Sequence, residues 1–130
     1  MGRNTTNARL LERVFMFVSQ TGECRTDRIH EYYGLTYGTL KIPRLANMTQ
    51  ALLSSGLFKR VGWYDRSENQ LMRTSLSSKE LGLNSRRWVC VVDVKNMDEI
   101  IDKYISGKKT LRRLENMPSF VREAVKGGSQ

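Results

Sequence analysis

The side chains that could do chemistry in this chain are few, and most are basic. From Tyr32 to Tyr64 there is no Asp or Glu, whereas Lys41, Arg44, Lys59 and Arg60 all fall inside that stretch. An acid-free run of cations suits a polyanion, because neutralising phosphates is the sequence-independent part of nucleic-acid affinity. Other chemistries have little to stand on. Cys24 and Cys90 lie far apart with only His30 as a further ligand, so neither a disulfide framework nor a zinc site is expected, and Cys90 inside an apolar run reads as a packed thiol. Glycine-lysine phosphate loops, nucleophile elbows and paired-histidine metal motifs are absent.

The elements that must carry these residues follow from the apolar spacing. Leu10, Leu11, Val14, Phe15, Phe17 and Val18 predict a helix over about 6–19, ended by Thr21-Gly22. Thr26 is expected to cap a short second helix from Asp27 to Tyr33, with Gly34 as its stop. A third helix is expected to start near Pro43 and to end at Ser54-Ser55-Gly56. On it, Leu45, Met48, Thr49 and Leu52 share one side, while Asn47, Gln50 and Ser54 share the other with Arg44 at the flank. A strand from Leu57 to Tyr64, a polar tip over Asp65–Gln70 and a return strand from Leu71 to Leu76 read as a β-hairpin. The β-branched run Trp88–Val92 predicts a further, buried strand within Arg86–Lys95. Asn96 and Glu99 stand at capping-box spacing before another helix, and apolar positions from Leu111 to Val125 continue the helical pattern around Pro118.

The chain of 130 residues carries 22 Lys and Arg against 13 Asp and Glu, a net charge of +9. Its size and composition suit a folded domain over 1–95 with a helical extension over 96–130 that completes the core or dimerises. Its longest apolar runs, Val14–Val18 and Trp88–Val92, are far short of the roughly 20 residues that span a bilayer. No secretory leader is read at the N-terminus, so no membrane partner and a cytoplasmic, nucleoid-associated location are expected.

The order helix, helix, turn, helix, hairpin is that of a winged helix-turn-helix, an α+β fold. The segment Leu52-Leu53-Ser54-Ser55-Gly56-Leu57-Phe58-Lys59-Arg60-Val61 resembles the end of the recognition helix and the first wing strand of winged-helix regulators of the MarR and PadR kind. Arg28-Ile29-His30-Glu31-Tyr32-Tyr33-Gly34-Leu35-Thr36 is similar to their second helix and turn. The chain departs from that pattern in its longer span from Gly34 to Gly56, which contains Pro43.

The resemblance implies a third helix in the major groove of double-stranded DNA and a wing on the backbone or an adjacent groove. It makes Asn47 and Gln50 candidate readers of adenine and Arg44 a candidate reader of guanine. Thr39 and Lys41 would contact phosphate, and Lys59, Arg60, Arg66 and Arg73 would supply further phosphate or minor-groove contacts. Such regulators often act as two-fold dimers, so a homodimer through the C-terminal helices is expected, with no cofactor and no enzymatic activity. Two alternatives stand beside this. Asp93-x-Lys95 resembles half of the metal-dependent nuclease motif, which would need Asp65 and a helix acid such as Glu12 to complete a Mg²⁺ site. A winged helix can also serve as a protein- or RNA-interaction module.

Overall fold

The apolar repeat of the first helix is long enough to make one side of it wholly internal. In the computed structural model, which describes residues 2–38 and 42–100 with side chains from residue 8 onward, it winds into α1 (Gly2–Thr21). Leu10, Leu11, Val14, Phe15 and Val18 are all buried, and Gly22 closes the helix at φ 83° with its N–H on the Val18 carbonyl. The chain then runs through β1 (Cys24–Arg25), α2 (Thr26–Tyr37), α3 (Leu45–Ser54), β2 (Phe58–Asp65), β3 (Gln70–Arg73), α4 (Ser78–Leu81) and β4 (Trp88–Val94). The result is a mixed α+β fold with a four-stranded antiparallel sheet ordered β1-β4-β2-β3.

Helix α2 differs from its expected bounds at both ends. Arg25, in extended conformation, occupies the capping position without a side-chain cap, while Thr26 is the first helical residue and is buried. Gly34 does not stop the helix, which runs on to Gly38 at φ 92°. The extra turn places Tyr37 4.8 Å from the Tyr33 ring, and the Arg13 guanidinium of α1 lies 3.9 Å from the centroid of Tyr37. Those contacts across two helices offset the roughly 1 kcal/mol that a glycine costs inside a helix. Helix α3 begins at Leu45 rather than at Pro43, with Arg44 extended before it. The Pro43 carbonyl lies 2.9 Å from His30 Nε2, which ties the connection to α2 and gives His30 a structural partner.

The hairpin forms as β2 and β3, but its return strand ends at Arg73 instead of Leu76. The connection beyond holds α4, short and closed by a capping box in which Glu80 N–H donates to Ser77 Oγ and Ser77 N–H to Glu80 Oε1. Strand β4 then inserts between β1 and β2. Its register with β2 slips between Arg60 and Gly62, so Val61 is the extra residue of a bulge. The slip decides which side chains face the helices: Phe58, Arg60, Trp63 and Asp65 share one face with their partners Val94, Val92, Cys90 and Trp88. Against that face pack Ile29 of α2 and Met48 and Leu52 of α3, all fully buried, and the Phe58 ring meets Phe15 edge-on at 6.0 Å. Beyond β4, Asn96 and Glu99 cap each other as their spacing predicts, and Ile100 is buried. The expected helices after residue 100, and the dimer contact assigned to them, lie outside the described residues.

Candidate nucleic-acid interface

Helix α3 has the division of faces that its sequence predicts. Met48 and Leu52 are buried, Leu45, Thr49 and Leu53 are half-buried, and Asn47, Gln50 and Ser54 are exposed with Arg44 just ahead of them. Among the described residues the side chains of Arg44, Asn47 and Gln50 make no hydrogen bond or ion pair, and no acid stands in the first turn. Two amides and one guanidinium thus belong to exposed residues within one short stretch of chain, Arg44 to Gln50. Thr39 and Lys41 lie outside the described residues.

The hairpin cations are less uniform than the sequence suggests. Lys59 is exposed on the side of β2 away from the helices. Arg66, at the turn, is exposed, with its Nη2 3.5 Å from Asp27 Oδ2. Arg73 is held by Glu23, its Nη1 and Nη2 each donating at 2.9 Å, and that fork draws the Glu23 carboxyl below its usual range. Arg60 points the other way from Lys59, onto the helix-facing side, where its Nη1 donates to the Ser75 carbonyl at 3.0 Å. A phosphate-contacting role expected from adjacent basic residues thus divides between them because a strand alternates faces. Arg86, exposed beside Arg66, was legible only as the start of a strand, and its pairing with Arg87 in sequence is the signal for it.

Arg87 has a different task. It forks onto Asp65 through Nε at 2.9 Å and Nη2 at 2.8 Å, while Ser67 N–H donates to the same carboxylate. Asp65 is only 3% exposed, and these donors, Arg87 first, bring its pKa from 3.8 down to about 2. The folded value lies below the unfolded one, so the contact stabilises the fold above about pH 4 and is lost as the pH falls toward about 2. The melting temperature of the wild type is expected to drop across that window more steeply than that of Asp65→Asn, which cannot titrate. Equal slopes in thermal melts at stepped pH would show that Asp65 carries no such linkage.

This geometry also bears on the nuclease alternative. Asp93 is opposite Lys59 and Asp65 opposite Trp88, at the two ends of the β2–β4 ladder, roughly 16 Å apart at strand spacing. Asp65 is committed to Arg87, and Glu12 sits on α1. The structure does not bring the three acids together, and no group of three metal-ligating side chains occurs among the described residues. Cys24 and Cys90 are free thiols, both pushed up in pKa chiefly by burial, which fits packing. Among the described residues no helix is long and apolar enough to cross a membrane. Comparison of the chain with protein-family models, curated proteins and solved structures finds no match.

Proposed function

We propose that this chain is a winged helix-turn-helix protein that binds double-stranded DNA sequence-specifically, as a dimeric, nucleoid-associated transcriptional regulator of the cytoplasm. The observation that carries the reading is the exposed strip of Asn47 and Gln50 on α3 with Arg44 just ahead of it, unpartnered among the described residues, on a helix that follows α2 and leads directly into a cation-bearing hairpin. The sheet supports it in a way the sequence did not foretell. With β2 and β4 as the two wing strands, β1-β4-β2 has the pairing of a winged-helix sheet, and residues 66–87 become an enlarged wing tip to which β3 and α4 belong. In this reading α3 enters the major groove, and Lys59, Arg66 and Arg86 meet phosphates. An amide can bond adenine N6 and N7 together, and a guanidinium can do the same with guanine O6 and N7.

The test is selection of duplexes from a random pool by the full chain, near physiological salt and without metal, followed by sequencing. An enriched two-fold motif is expected, with a half-site spacing of about one helical turn. Retention without enrichment would reduce the function to nonspecific binding, and no retention would overturn it in favour of a protein or RNA partner. The Glu23–Arg73 pair offers a second check. Both groups are exposed, so the pair adds little to stability. Releasing Arg73 by Glu23→Gln is expected to raise affinity for any duplex about threefold and to steepen the salt dependence by about one released counterion. Unchanged affinity across a salt titration would remove Arg73 from the interface.

A further inference from the structure

The outer side of the α1–α2 pair carries aromatic and cationic side chains that the core does not use. On α1, Arg9, Arg13, Met16 and Gln20 follow one another at helical spacing beside the buried stripe of Leu10, Val14 and Val18. The second half of α2 brings Tyr32 and Tyr37 alongside, and the two helices bound a groove of about 450 Å³. Met16 is 49% exposed and Tyr37 41%, so the groove keeps large apolar side chains open to solvent.

Its parts already hold one another in place. Tyr32 stacks on Phe17 at 3.9 Å and meets Tyr37 edge-on at 6.5 Å. Arg13 lies over the Tyr37 ring at 3.9 Å while its Nη1 donates to the Tyr33 hydroxyl at 3.1 Å, which leaves further N–H donors free. Rings and a guanidinium fixed in this way lose little freedom when a partner lands on them. Tyr, Phe, Met and Arg are also the residue types that protein interfaces concentrate, and Tyr and Arg are among those that carry most of the affinity.

Charge selects the partner. Arg9 and Arg13 line the groove with a single acid, Glu12, and none of the three makes an ion pair among the described residues. A second copy of this chain, itself at +9, would bring four arginines and two glutamates together across a two-fold contact. Residues 101–130 hold seven Lys and Arg against three Asp and Glu, so they are like-charged too. Nucleic acid presents phosphates in rows, whereas this groove sets its two cations among an acid and apolar side chains.

We infer that the α1–α2 groove docks an acidic, amphipathic segment of another protein, with carboxylates on Arg9 and Arg13 and an apolar side chain against Met16 and Tyr37. The groove shares no residue with α3 or the hairpin, so the inference stands apart from the proposed DNA contact.

The experiment is selection of short random peptides displayed on phage by the full chain, followed by titration of the enriched peptides in solution. Enriched sequences are expected to combine Asp or Glu with Leu, Phe or Trp, and to bind Arg9→Glu and Met16→Glu about tenfold or more weakly than wild type. Both positions are exposed, so both variants are expected to melt within about 2 °C of wild type. The variant with Asn47→Ala and Gln50→Ala is expected to bind the peptides as wild type does, and random-sequence duplex is expected not to displace them. Displacement by duplex would give the groove to nucleic acid, and a smaller oligomer of Met16→Glu in sedimentation would give it to a second copy. Either result overturns the proposal, as do absence of enrichment, enrichment of peptides without acids, or undiminished affinity for Arg9→Glu. The wild-type selection and Arg9→Glu decide even if Met16→Glu does not fold.

Discussion

Replacing Asn47 and Gln50 together by Ala is expected to lower affinity for the selected duplex by about 100-fold while leaving binding to random-sequence DNA within about twofold. Each bidentate amide–adenine contact discriminates by about 1–3 kcal/mol, and neither residue carries charge, so the salt dependence stays as it was. The fold tolerates the change. Both side chains are exposed, neither has a hydrogen-bond or ionic partner among the described residues, and Ala is the best helix former, so stability should stay within about 0.5 kcal/mol. Adding Arg44→Ala is expected to weaken both duplexes and to shallow the salt slope by about one. Competition titrations with selected and scrambled duplexes at several salt concentrations read all of this. Undiminished discrimination in the double variant would mean that α3 does not read bases.

A second large effect is expected at the bulge. Gly62 stands opposite Arg73 on one side and Val91 on the other. A Cβ there would meet the Met72 carbonyl oxygen at 2.1 Å and the Met72 carbonyl carbon at 2.9 Å. Both atoms are backbone, so no rotamer change relieves the clash and β3 must move off β2. Gly62→Ala is therefore expected to cost about 3 kcal/mol, or roughly 10 °C in melting temperature for a chain of this length. Amides of Gln70–Arg73 should lose hydrogen-exchange protection before those of β4, because β4 keeps β1 as a second neighbour. A melting temperature within about 2 °C of wild type would show that the hairpin absorbs the methyl group.

Much of the local order was legible in the residues. The apolar spacing of Leu10 to Val18 specified α1, and the two-faced pattern of residues 45–54 specified both the packing and the free side of α3. The β-branched run at 88–92 announced β4, and the Asn96–Glu99 cap formed as spaced, because each of these signals acts within one or two turns of chain. What sequence could not decide depends on partners distant along the chain. Helix α2 passes through Gly34 because Tyr37 finds Tyr33 and the Arg13 guanidinium of another helix. Asp65, placed by its polar neighbours at a loop tip, is buried because Arg87, well beyond the hairpin, returns beside it. Lys59 and Arg60 look equivalent as neighbours, yet strand pleating sends one outward and the other onto the helix-facing side, and the following bulge seats Trp63 beside it. The charge of this protein and the candidate reading face of α3 were determined by sequence alone. The strand order and the turning of Arg60 onto the helix-facing side were decided only by tertiary structure, since strand pairing and register link residues that no local pattern connects.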